Sequence, residues 1–152
     1  MSVNIRHAKK EDCPQIFELI QGLAEHQQSP DEVTVSFSHF EECGFGENPV
    51  WKAFIAEANK KIVGYALYYI RFSTWKGKRL YLEDFYVKES MRSRGIGKKL
   101  FDRVIKEGKN LKLKGMDWQV IDWNDPAIRF YKRYGTKIDE SQYNASLNWP
   151  DN

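Results

Sequence analysis

The run RLYLEDFYV, residues 79–87, sets the tightest limit on what this chain can fold into. It is rich in aromatic and branched side chains and apolar at nearly every position, so it lacks the alternation of a half-exposed strand. A strand apolar on both faces belongs in the middle of a sheet covered on both sides. Only Glu83 and Asp84 break the pattern. Carboxylates in such a place need a polar cavity, a partner or a chemical task, because an uncompensated buried charge shifts its pKa or destabilises the fold. Adjacent strand residues point to opposite faces, so Glu83 and Asp84 reach one site together only if the strand bulges or splays. The plainer alternative makes one of them an ion-pair partner for Arg6, Arg71 or Arg79.

The rest of the chain reads as layers around that strand. Residues 2–8 form a short strand, and residues 11–26 a helix with Ile16, Leu19, Ile20 and Leu23 on one face and Pro14 in its first turn. A second short helix covers 36–43 and ends at Gly44. Strands at 51–58 and 62–72, joined by a turn at 59–61, make a hairpin, and a turn at 75–78 leads into 79–87. A helix follows over 97–113, then a strand over 116–123. Asn124, Asp125 and Pro126 start a last helix as a polar cap followed by proline, and Gly135 ends it. The tail after Gly135 is polar and weakly patterned and holds at most one or two short strands. This order predicts an α/β (α+β) fold, a mixed sheet flanked by helices. No linker or repeat interrupts it, so residues 1–152 read as a single domain.

Composition removes several function classes. No apolar run approaches the roughly 18 residues of a membrane span, and MSVNIRHAKK lacks the apolar centre of a secretory signal, so a cytoplasmic protein without a membrane partner is expected. Cys13 and Cys43 fit neither a metal-ligand spacing nor a disulfide framework and read as small buried or half-buried side chains, so no metal is expected. Without a secretory signal, the sequon at Asn144 is read as accidental. A net charge of +3 does not mark a nucleic-acid binder. The lysines of helix 97–113 spread around it without a base-stacking aromatic motif, so no nucleic-acid partner is expected.

MRSRGIGKKL, residues 91–100, links the central strand to that helix. The first amides of a helix have no intrahelical partner and carry the positive end of its dipole, which makes such a junction an anion site. Gly95 and Gly97 let a phosphate approach the main chain, while Arg92, Arg94, Lys98 and Lys99 add charge. A structural turn with a solvated basic face would show the same residues. A dinucleotide fingerprint fails at Leu100 and a P-loop fails at Arg92.

The remaining pattern, RSRGIG after a long apolar strand, resembles the acetyl-coenzyme A site of the GNAT superfamily of N-acetyltransferases. The likeness extends to about Gly135. GFGENP (44–49), WKGK (75–78), YLEDFYV (81–87), RGIG (94–97) and WNDPAIRFYKRYG (123–135) most resemble the spermidine/spermine (diamine) and thialysine N-acetyltransferases. The resemblance implies the GNAT fold, with a mixed, mostly antiparallel sheet, and acetyl-coenzyme A as the donor. It also implies a small-molecule amine acceptor, a di- or polyamine or a lysine-like amino acid, attacked directly in a ternary complex.

In that reading Glu83 is the base, acting through water, and Tyr131 protonates the departing thiolate, although its helical face with Ala127, Phe130 and Tyr134 would equally suit a core tyrosine. Backbone amides near Phe85, Tyr86 and Val87 hold the developing oxyanion. Arg92, Arg94, Gly95, Ile96, Gly97 and Lys98 grip the pyrophosphate, and Asn124 contacts the pantetheine arm. Glu83, Asp84, Trp75, His26 and Gln27 line the acceptor channel. His26 and Gln27 stand where the polyamine enzymes carry Tyr and Glu, and Ser73 where they carry Asp, so the channel has lost negative charge. A homodimer is implied by similarity. The alternative is a non-catalytic acetyl-coenzyme A-binding sensor or scaffold.

Overall fold

The computed structural model describes residues 2–150. Five strands, β1 (Val3–His7), β2 (Lys52–Ala58), β3 (Lys61–Ser73), β4 (Gly77–Val87) and β5 (Met116–Trp118), form one sheet in the order β1-β2-β3-β4-β5. The first four pair antiparallel, and β5 joins β4 in parallel. Among the described residues four α-helices accompany them: α1 (Cys13–His26), α2 (Phe37–Phe45), α3 (Ile96–Asn110) and α4 (Asp125–Lys132). The order of elements is the one read from the sequence. The chain divides into two compact units, Met1–Gln119 and Val120–Asn152. The first carries the sheet and α1 to α3, the second α4 and the tail.

Within the first unit, α1 and α2 cover one face of the sheet. Cys13, Ile16, Leu19 and Leu23 of α1 pack with Phe40, Trp51, Tyr65 and Leu67. The other face holds α3, whose Leu100, Phe101 and Val104 are buried along with Phe54, Tyr68, Leu80 and Leu82. Asn59 and Lys60 adopt positive φ of 52° and 63°, the geometry of a two-residue hairpin turn between the Ala58↔Lys61 pair. Arg6 holds β1 through Asp12 and Glu57, and Arg79 grips Asp117 of β5 at 2.7 and 3.0 Å.

Two expectations need correction. The helix expected to stop at Gly44 runs on to Phe45 with Gly46 as its C-cap, because Gly44 is a packing glycine: a Cβ there would collide with the Trp51 indole. The strand expected over 116–123 is only Met116–Trp118, paired with Leu80–Leu82. The described part of the tail after Gly135 holds no strand. Cys13 is buried and Cys43 half-buried, both as free thiols. Among the described residues no helix is long and apolar enough to cross a membrane, and no group of three or more His, Cys, Asp or Glu could hold a metal ion.

Candidate active site

The register of β3 and β4 slips by one residue at the carboxylates. Leu67 faces Asp84 while Tyr68 faces Leu82, which leaves Glu83 as the extra residue of a β-bulge. The slip reverses the facing of everything after it. Leu80 and Leu82 are buried on the α3 side, and beyond the bulge Phe85 takes that side, its ring 5.5 Å from that of Phe101. Asp84 and Tyr86 therefore turn to the α1 side. There the Tyr65 hydroxyl donates to Asp84 Oδ2 at 2.9 Å, and the Tyr69 hydroxyl donates to Glu83 Oε1 at 3.2 Å. Tyr65, Leu67 and Tyr69 share one face of β3. The bulge thus brings both carboxylates to a single tyrosine-lined surface, the condition set by the sequence.

Neither carboxylate is neutralised. Arg6 and Arg79 are engaged elsewhere, Arg71 lies over the Tyr81 ring, and no ion pair among the described residues includes Glu83 or Asp84. Burial, joined by the charge of Glu83, pushes the Asp84 carboxyl up to about 6, against the opposing hydrogen bond from Tyr65. Burial and the facing Asp84 raise the Tyr65 hydroxyl well above its ordinary range, so it stays protonated as a donor. Glu83 itself is exposed. A half-desolvated anion beside an accessible one suits a cation.

Beyond the bulge β4 runs five residues past its last pairing with β5, to Val87. Lys88 N–H donates to Val63 O at 2.8 Å, so alternation turns the Val87 N–H away from β3. The chain then passes through Ser93 and Gly95, with φ of 63° and 77°, into α3. Gly95 is its N-cap and offers no side-chain acceptor, and the first bond to a main-chain oxygen runs from Lys99 N–H to Gly95 O at 3.1 Å. The amides of Ile96, Gly97 and Lys98 are thereby left for an external anion, with Ile96 buried beneath them as an anchor. Positive φ explains Gly95. At Gly97 the backbone makes no such demand, and a Cβ would meet Phe85 at an ordinary 3.5 Å.

The basic residues of this junction divide. Arg92 folds back, its Nε donating to Val87 O at 2.9 Å and its guanidinium 5.4 Å from the centre of the Tyr86 ring, and so braces the loop. Lys98 pairs with Asp102 at 2.6 Å, and Arg94 is exposed. His26 ends α1 with its ring 6.4 Å from Tyr86, and partial burial and the Arg92 charge hold its imidazole below the usual range. Gln27 is the C-cap of α1. Trp75 is 92% exposed in the β3–β4 turn, where Ser73 Oγ accepts from the amides of Trp75 and Lys76. Six strand residues separate that turn from Glu83, roughly 20 Å. Within one chain, then, Trp75 is not brought to the carboxylates.

In the second unit, Asn124 caps α4, its Oδ1 accepting from Ala127 N–H at 3.3 Å. Tyr131 is buried, which pushes its hydroxyl up to about 12.

The sequence pattern alone does not single out Tyr65, Tyr69 or Tyr81. In a strand of this kind aromatic residues read as core, and only the register shows two of their hydroxyls aimed at the carboxylates.

A central strand bulged at an acidic pair, followed by a glycine-capped helix open to an anion, has the form of an N-acetyltransferase. The chain belongs to the Acetyltransferase (GNAT) family, whose sequence profile matches residues 7–136. It is 38% identical to the thialysine N-epsilon-acetyltransferase of Bos taurus over 143 residues, 89% of this chain and 84% of that protein. It is 36% identical to the spermidine/spermine N(1)-acetyltransferase-like protein 1 of Homo sapiens, covering 86% of this chain and 20% of that longer one. Among solved structures, an aminoglycoside acetyltransferase, meta-AAC0020, from an uncultured soil metagenomic sample superposes with a TM-score of 0.81 over 96% of this chain and 97% of its own, at 19% identity. That likeness is one of fold.

Proposed function

We propose that this acetyltransferase moves an acetyl group from acetyl-coenzyme A to a primary amine of a small cationic molecule, a di- or polyamine or a lysine-like amino acid, in a ternary complex. The observation that carries this reading is the bulge at Glu83, which sets two unneutralised carboxylates on one tyrosine-lined face. Relatives named for thialysine and for spermidine/spermine support an amine acceptor.

The α3 start fits the donor's diphosphate. Three amides stand without an intrahelical partner, no cap side chain competes for them, and Gly97 presents no Cβ to block approach. Arg94 and Lys98 add charge, while Arg92 shapes the loop. Bound there, acetyl-coenzyme A supplies a thioester whose carbonyl carbon the amine can attack.

The residues then divide the work. An alkyl ammonium with a pKa near ~10.4 must first lose its proton, and Glu83 takes it through water. Asp84 holds the cation close. The new C–N bond forms and the C–S bond breaks, and the Val87 region offers main-chain N–H to the charge that develops on oxygen between the two steps. The attacking nitrogen sheds a second proton to water as it becomes an amide, which balances the one Tyr131 donates. Tyr131, assigned by the FYKRYG segment, gives its proton to the thiolate, and Asn124 is assigned by the same resemblance to the pantetheine arm. Trp75 reaches an acceptor only from a second copy of the chain. The exposed Ile70, Phe72 and Trp75 give a homodimer an apolar contact, which sedimentation of Trp75→Ala against the parent protein checks.

An acceptor screen tests the reading. Purified protein with acetyl-coenzyme A should release free thiol with di- and polyamines or lysine analogues, and mass spectrometry should place the acetyl group on nitrogen. Coenzyme binding with no acetylation across the panel would return the chain to the sensor or scaffold reading.

A further inference from the structure

The face of β3 that carries Tyr65 and Tyr69 continues to Arg71, and the polar groups along it are ordered by charge. Asp84, opposite Leu67, lies at one end with the Tyr65 hydroxyl on it. Glu83 follows, held by Tyr69. Tyr81 faces Tyr69 across the strands, with ring centres 5.3 Å apart. Arg71 closes the row, its guanidinium 5.3 Å from the centre of the Tyr81 ring.

Arg71 differs from the other arginines of the sheet. Arg6 is bound by Asp12 and Glu57, and its own cross-strand neighbour Arg79 is bound by Asp117. Arg71 is exposed and takes part in no ion pair among the described residues. A guanidinium presents a rigid fork of donors matched to a carboxylate, and stacking on a tyrosine fixes its plane. One two-residue step of β3, roughly 7 Å, separates Arg71 from the tyrosine that holds Glu83, the length scale of an aliphatic side chain.

We infer that Arg71 reads a carboxylate on the acceptor, so that the preferred substrates are amino acids bearing a terminal amine rather than polyamines. The inference rests on the amine-acetyltransferase reading above and narrows its substrate class. The amine end lies toward Glu83 and Asp84, the aliphatic stem across Tyr69 and Tyr81, and the carboxylate end at Arg71. A polyamine would set an ammonium against that guanidinium, where like charges repel.

Three acceptors of matched stem decide it: L-lysine, its amide lysinamide, and cadaverine, which lacks the carboxyl carbon. The parent enzyme should show the highest kcat/KM for lysine. Arg71→Ala should lower the lysine-to-cadaverine ratio on the order of tenfold or more, chiefly through KM for lysine, and Arg71→Lys should restore part of it. A parent enzyme that prefers cadaverine, or an Arg71→Ala variant with an unchanged ratio, overturns the inference while leaving amine acetylation in place. An equal slowing with all three acceptors overturns it as well. No turnover with any amine removes the parent reading and this one together.

Discussion

The Tyr65 hydroxyl donates to Asp84 Oδ2 at 2.9 Å from a ring with no solvent exposure. That bond favours the charged carboxylate, while burial and Glu83 favour the neutral acid, and the balance leaves Asp84 at about 6. Below that value one of the two anions proposed to hold the acceptor's ammonium is lost, so KM for the amine should rise as pH falls through about 6. Tyr65→Phe removes the bond that sustains the charge. The midpoint of the KM profile should move upward, and Asp84→Asn should abolish that limb. A profile identical in parent and Tyr65→Phe enzymes would show that the hydroxyl does not govern Asp84.

The same shift has a consequence for stability. Asp84 ordinarily titrates near 3.8 and here near 6, so between these values the folded state binds more protons than the unfolded one. The stability contributed by the protonated carboxyl is present below 3.8 and is lost as pH rises through 6. Asp84→Asn has no proton to lose. Its melting temperature relative to the parent should therefore climb from pH 4 to pH 7, as followed by thermal denaturation, and a constant difference would contradict the shift.

The two glycines of RGIG should fail in different ways. Gly95→Ala places a Cβ at a φ of 77° and should destabilise by about 1–2 kcal/mol while raising KM for acetyl-coenzyme A. Gly97→Ala has ordinary room beside Phe85, so its melting temperature should hold while KM for the coenzyme rises. Denaturation curves and coenzyme titrations of the pair separate backbone strain from blocked approach.

Removing the proposed proton donor and the proposed proton acceptor should affect turnover more than binding. Tyr131→Phe should lower kcat by about 10²–10⁴ with little change in coenzyme affinity. Because burial raises its hydroxyl to about 12, the loss should be similar across neutral pH. Glu83→Gln should lower kcat by a comparable factor and be partly relieved at high pH, where more of the amine arrives deprotonated. Steady-state rates with coenzyme affinity measured by calorimetry check both.

Much of this arrangement could be read before any coordinates. The order of elements followed from periodicity and punctuation, and the conflict at Glu83 and Asp84 announced a distorted central strand. The sequence could not say which residue is extra, because a bulge is a property of the pairing with β3 rather than of β4 alone. It overstated β5 because MDWQVIDW alternates well, yet the ladder with β4 ends at Leu82↔Trp118, next to the bulge. Gly44 looked like a helix stop because a glycine chosen for a packing neighbour and one chosen for a cap are the same letter. The sequence offers Arg71 only as a counter-ion for the carboxylates, and its seat on Tyr81 is a cross-strand relation that no local pattern reveals.

The bulge absorbs Glu83 without moving any other side chain of β4 to the opposite side of the sheet, so this one position adds a second carboxylate while the packing beneath α3 is kept. A substitution at Glu83 alters chemistry alone, whereas its deletion would close the bulge, leave Asp84 and Tyr86 toward α1 and Phe85 toward α3, and strip one of the two carboxylates from the tyrosine-lined face. The number of carboxylates offered on that face can therefore change at one position while the packed side of the strand stays as it is.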